Sequence, residues 1–218
     1  VLRGVYEASD DGPECTVQPA SARELPVAVD LVRAHEGDEA AAIARRWLAH
    51  PGTSVWSVRD ASGDAVGFLV VLRLGASDRA AAEAARDPVM LGILRYLAEP
   101  GRAQPGDEII VDRFLLARDG YQAPSVVTRL LHTVKNFSIF RHGTSSPSVK
   151  HFFSVYGDVE IGERIAGSVG LRRVREHEVE IGPRRYAVHH LSLHTTPIDV
   201  WLSGMYEGIV RAIGGVAP

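Results

Sequence analysis

The sequence predicts an α/β fold with a mixed central sheet, and three observations carry the prediction. Asp107 to Phe140 runs as a strand, a tight polar turn and a helix. Residues 53–75 hold two β-branched runs on either side of Ala61-Ser62-Gly63-Asp64, the pattern of a hairpin. The rest of the chain alternates helix-period segments with short apolar runs and has no internal repeat. That alternation buries helices against a sheet rather than against one another.

Bulk properties narrow the function classes. The chain has 218 residues, 45% of them hydrophobic, enough for one good-sized core. A net charge of −3 with mixed signs argues against a nucleic-acid surface, which needs a concentrated basic field. The single cysteine, Cys15, excludes a disulfide framework and fits a reducing, cytoplasmic interior. No apolar run reaches the ~20 residues of a membrane span, so no membrane partner is expected, and no signal peptide is visible. The opening Val1 suggests a piece of something longer. Lys occurs only at Lys135 and Lys150 against abundant Arg and Ala, which suggests a GC-rich bacterial source.

In chain order, residues 1–13 are a linker or the end of a preceding element, and residues 14–195 form the α/β domain. Cys15 to Pro19 is a short strand. Ser21 with Glu24 makes a capping-box pattern before a helix whose Leu25, Val29, Leu31 and Val32 face inward. Gly37-Asp38 separates it from a second helix, about Glu39 to His50, closed by Pro51-Gly52. After the hairpin, residues 77–106 are expected to be a helical insertion and return loop between the third and fourth strands, outside the shared core. Asp87 caps its second helix and Pro88 opens it.

Ile109 to Leu116 then forms the buried central strand, broken by Arg118-Asp119-Gly120. Pro124 suits a helix start, and Val126, Val127, Leu130, Leu131, Val134 and Phe137 mark the face packed on the sheet. HFFSVYG is a fifth strand, and Val159 to Val169 is a helix closed by Gly170. LRRVREHEVE and RRYAVHHLSL make a closing hairpin, and residues 196–218 make an amphipathic C-terminal helix.

This order of elements resembles the GCN5-related N-acetyltransferase (GNAT) superfamily from about Cys15 to Leu193. TVQPASARELPVAVDLV looks like that family's first strand and helix, WSVRDASGDAVGFLVVLRL like its second and third strands, and IAGSVGLRRV like the end of its fourth helix. The resemblance implies acyl-CoA-dependent transfer of an acyl group to an amine. Acetyl-CoA or another acyl-CoA would be held at Leu116, Arg118, Gly120, Tyr121, Gln122, Ala123 and Ser125, where the family's Arg/Gln-x-x-Gly-x-Gly/Ala loop lies. A strand that turns into a helix N-terminus suits a phosphate-bearing ligand, because free N–H groups and the helix dipole point at it. Two registers of that motif are open: one runs from Arg118 to Ala123 and puts Tyr121 where the family has its middle Gly, and a shifted one lays Tyr121-Gln122-Ala123-Pro124 over the Arg-Gly-x-Gly core. Pro124 also removes a donor from the loop. The family's frequent general-acid Tyr is replaced by Ala166.

Glu108 corresponds to the general-base Glu of histone-acetyltransferase-like members, and Tyr156, on the fifth strand, is the candidate replacement acid. Asp112 shares the Glu108 face by the two-residue period, with Arg113 or another Arg as its neutralising partner. His189 and His190 point to opposite faces and cannot chelate together, while His142 and His151 have no partner at ligand spacing in the sequence, so no metal site is expected. No Gly-x-Ser-x-Gly elbow supports a serine nucleophile. The alternative to catalysis is a silent sensor or interaction module. In that reading the partners are other domains of a larger chain, since the segment order also looks like the C-terminal region of large actinobacterial ATP-binding proteins. A third reading is an acyl-carrier-protein-linked transferase.

Overall fold

The computed structural model describes residues 14–214, with side chains to residue 207. The expected linker 1–13 and the last four residues of the expected C-terminal helix lie outside the described residues. The strands are β1 (Thr16–Pro19), β2 (Thr53–Arg59), β3 (Ala65–Gly75), β4 (Glu108–Ala117), β5 (Val149–Tyr156), β6 (Arg172–Arg173), β7 (Val179–Ile181) and β8 (Arg184–Ser192). They form a sheet in the order β1-β2-β3-β4-β5-β8-β6, with β7 also paired to β8. The β4–β5 pair is parallel and every other pair antiparallel, so the sheet is mixed and β4 is central, as expected.

Helices cover both faces. One face carries α1 (Leu25–Glu36), α2 (Asp38–Leu48), α3 (Arg79–Ala85) and α4 (Pro88–Leu97), which pack Val32, Ile43, Trp47, Met90 and Ile93 on Leu72, Val111 and Phe114. The other carries α5 (Val126–Ser145), α6 (Val159–Ser168) and α7 (Ile198–Gly214), with Leu131, Ile165 and Trp201 on Leu69, Ile110 and Phe152. Adjacent strand residues such as Phe152 and Phe153 fall in different clusters, as the two-residue period requires.

Four expectations need correction. The insertion is helical, and Asp87 caps α4 by accepting from Val89 N and Met90 N at 3.1 and 3.4 Å. It does not lie outside the core, however: Ala82, Val89, Met90 and Ile93 are fully buried in it. Each large apolar side chain buried this way contributes about 1.5–3 kcal/mol, so replacing the segment with a turn would remove core rather than ornament.

On α5 the expected Val127, Leu130, Leu131 and Val134 do pack on the sheet, but the most deeply buried stripe is Thr128, Leu131, His132, Lys135 and Ile139, and Phe137 is 63% exposed. Polar residues at the i, i+3, i+4 positions hid that stripe from a reading that counted apolar residues alone. Ser21 and Glu24 close a turn before α1 rather than capping it: the Glu24 carboxylate accepts from Ser21 N and Oγ, both at 2.7 Å, and pairs with Arg59. The closing hairpin is divided, because β6 and β7 both pair with β8 and a 3-10 turn, Arg175–His177, separates them. Glu178 turns inward there to meet Arg173 and Arg185.

Candidate functional site

The central strand pair opens into a gap. Parallel pairing of β4 with β5 runs from Glu108↔Val149 to Asp112↔Ser154 and then stops. On the other edge, Val71 faces Asp112 and Val70 faces Phe114, so Arg113 is an extra residue in β4, a β-bulge. A bulge bends its strand and ends pairing. From Arg113 to Ala117 β4 therefore continues beside β3 alone, and β5 continues beside β8.

The loop predicted to hold a cofactor fills that gap. Ala117 N donates to Tyr121 O at 2.7 Å and Ala123 N to Gly120 O at 2.8 Å, so the loop folds tightly onto itself. Tyr121 sits in the left-handed region at φ 57°, a conformation that usually selects Gly, and it is buried. Its hydroxyl donates to Glu36 Oε1 at 2.7 Å, and the Arg184 guanidinium lies 4.3 Å from its ring centre. A Cβ on Gly157 would come within 2.2 Å of that hydroxyl, so the turn after β5 is shaped around Tyr121.

Gln122 crosses the gap. Its Nε2 donates to Leu115 O on β4 at 3.0 Å, and its Oε1 accepts from Asp158 N, beyond β5, at 2.9 Å. Arg118 reaches back to the β3 edge, donating from N to Val66 O and from Nη2 to Ala65 O. Leu116 is core. Ser125 caps α5 in a reciprocal box with Thr128, which occupies the Ser125 and Thr128 amides within the chain. Ala123 O accepts from Thr128 Oγ1.

Behind Tyr121 lies a buried polar network that the sequence did not disclose. Glu36 accepts from Tyr121 and from Tyr186 Oη, each at 2.7 Å. Burial pushes the Glu36 carboxyl above its usual range, and burial together with the Glu36 charge raises both phenols. Arg113, fully buried, makes two hydrogen bonds to Asp87 at 2.7 and 3.1 Å, and Trp47 Nε1 donates to the same carboxylate at 2.8 Å. The partner expected for Asp112 therefore belongs to Asp87, because adjacent strand residues point to opposite faces and Arg113 lies on the side away from Asp112.

Asp112 instead accepts from Ser154 Oγ at 3.0 Å on the α5 side. Burial raises its carboxyl to about 6, a shift that nearby Lys135 opposes. Burial lowers Lys135 to about 8, and its Nζ donates to Tyr156 Oη at 2.9 Å. Tyr156 is thus a core residue, packed on Gly162, where a Cβ would come within 2.7 Å of it.

Glu108 stands at the opposite end of β4 from the loop, roughly 30 Å away at a strand's rise per residue. It is paired with Arg73 at 2.7 Å and accepts from Ser148, and Arg73 first and Ser148 second hold its carboxyl below the usual range. Glu108 is therefore not brought together with the loop residues or with Tyr156. Beside it, at the same end of the sheet, Asp107, His151 and His194 converge, with ligand atoms within 4.8 Å of one another. Their wide separation in the sequence explains why spacing gave no signal for His151. His189 and His190 do face opposite sides, His189 toward Tyr156 and His190 onto Phe153. Burial lowers His151 and takes His190 to about 3.

No protein-family model matches the chain, and no curated protein matches it. Solved structures do match. FeeM, an N-acyl amino acid synthase from uncultured soil microbes, aligns over 90% of this chain and 98% of its own at 12% identity and a TM-score of 0.57. Arabidopsis thaliana NAA60 in complex with acetyl-CoA aligns over 83% and 99% at 10% identity and 0.53. Arylalkylamine N-acetyltransferase 2 from Aedes aegypti aligns over 83% and 99% at 12% identity and 0.53. The chain shares its fold with these three proteins. At these identities the likeness is one of fold.

Proposed function

We propose that this chain is a GNAT-fold recognition module whose acyl-CoA slot is closed by its own loop. The Gln122 bridge from Leu115 to Asp158, backed by Tyr121 on Glu36, carries the reading. A thioester arm entering between β4 and β5 would have to displace both side chains and leave buried Glu36 with Tyr186 as its one tyrosine donor. The loop amides needed for a pyrophosphate are partly spent on the loop and the α5 cap. The residues present therefore do not fit an acyl-CoA as they stand.

A second reading, acyl-CoA-dependent transfer to an amine, is favoured by the gap itself, which begins at the Arg113 bulge and ends beside a helix N-terminus. In that reading the carboxylate to examine is Glu36, which Tyr121 touches, rather than Glu108. Titration calorimetry with acetyl-CoA separates the two. The unmodified protein is expected to bind no more tightly than roughly 0.1–1 mM, about −5.5 to −4 kcal/mol. Tyr121→Gly suits the left-handed backbone and empties the slot, and should tighten binding at least tenfold. Low-micromolar binding by the unmodified protein, with amine acetylation lost in folded Glu36→Gln, would sink the module reading.

A further inference from the structure

The chemistry left unused by that reading lies at the other end of the β4–β5 pair. Asp107 precedes β4, His151 lies in the first half of β5, and His194 follows β8 in a turn closed by Thr196 N on Ser192 O at 2.9 Å. Asp107 Oδ2 stands 2.8 Å from His194 Nε2 and 3.4 Å from His151 Nε2. Donors at 2.0–2.2 Å from a tetrahedral ion stand roughly 3.3 Å apart, and the three donor atoms here all lie within 4.8 Å of one another. Asp107 and His151 are buried, whereas His194 is partly exposed.

The surroundings orient these groups as metal ligands are oriented. His151 Nδ1 contacts His190 Nε2 at 3.1 Å, and His190 Nδ1 contacts Tyr96 Oη at 3.2 Å. Donation along that chain, from His151 to His190 to Tyr96, leaves the lone pair of His151 Nε2 directed at Asp107. Arg102 Nη1 donates to the same Tyr96 oxygen at 3.0 Å. Gln104 N donates to Asp107 Oδ2 at 2.7 Å and fixes the carboxylate. The site also has a way in. His190 and His194 line a cavity of about 470 Å³ that Tyr96, Arg102 and Thr195 help to wall.

We infer that Asp107, His151 and His194 form a binding site for one divalent transition metal of the zinc class, with its remaining position facing this cavity. Two imidazoles and one carboxylate select such an ion over calcium or magnesium, which take oxygen donors. Three protein ligands beside an open position leave room for water or a ligand atom on the metal. The inference stands apart from the slot at the other end of β4, and neither depends on the other.

The test uses the full chain stripped with chelator and dialysed. Calorimetric titration with Zn²⁺ should show one equivalent bound at low-micromolar affinity or tighter. Co²⁺ should give the intense visible bands of a four- or five-coordinate ion. His194→Ala, at a partly exposed position, should keep the melting temperature of the metal-free protein, lose the Co²⁺ bands and weaken Zn²⁺ binding at least 100-fold. Equal binding by the two proteins would overturn the site, as would weak binding by the unmodified chain. X-ray absorption on the zinc-loaded unmodified protein needs no variant: two imidazoles in the first shell are expected, and any other number rejects the assignment.

Discussion

The two ends of the β4–β5 pair differ in how their polar groups are satisfied. At the end beyond the Arg113 bulge, Tyr121 and Gln122 meet Glu36, Leu115 and Asp158, and the gap is full. At the end before it, Asp107, His151 and His194 converge beside an open cavity. The gap beyond the bulge is thus packed shut, while a carboxylate and two imidazoles gather at the other end of the same strand pair. The difference teaches that shared topology fixes where a gap lies and side chains decide whether it is used.

Three changes would break or sharpen that contrast. The largest effect is expected from Arg113→Met, which strands Asp87 as a buried, uncompensated charge. Urea unfolding should register a loss of about 3–5 kcal/mol, and Asp87→Asn combined with Arg113→Met should cost less than Arg113→Met alone. A double variant no more stable than the single one would mean that the pair does not hold the closed end together.

The next concerns Asp112, which sits between the two ends. Its folded value of about 6 lies above the usual 3.8, so the native state holds the extra proton between them. The stability it contributes is full below 3.8 and is lost as pH rises through about 6. Unfolding free energies of the unmodified protein and of Asp112→Asn, measured across that window, should therefore diverge in favour of the variant as pH rises. Parallel curves would show that Asp112 ionises as freely as in the unfolded chain. The smallest effect is expected from Glu108→Gln. Its pair with Arg73 is partly exposed and worth about 0.2–1 kcal/mol, and acetyl-CoA affinity by calorimetry should not change. A change in that affinity would return Glu108 to the candidate site.

Much of the fold was legible because each core strand carries its own signal. Val70, Leu72 and Val111 announce burial by type, and Asp87-Pro88 announces a helix start by backbone chemistry. The candidate site was legible only as a location. Tyr121 in the loop marked an obstruction, but its partner Glu36 lies 85 positions away on α1. Sequence spacing cannot register contacts that exist only after the sheet has formed. The same limit hid Asp107 from His151 and His194, and it misassigned Arg113. The misassignment of Arg113 needed no bulge, since neighbours on a strand face opposite sides; the bulge breaks the period-2 reading of β4 only from Phe114 onward.

Asp87 has a consequence for motion. One carboxylate caps α4, accepts from Trp47 of α2 and binds Arg113 of β4. Lifting α4 would break all three attachments together and expose an unpaired guanidinium inside the sheet, which ties its opening to cooperative unfolding rather than to local breathing. The wall that Tyr96 gives the histidine-lined cavity is therefore a fixed surface and not a flap.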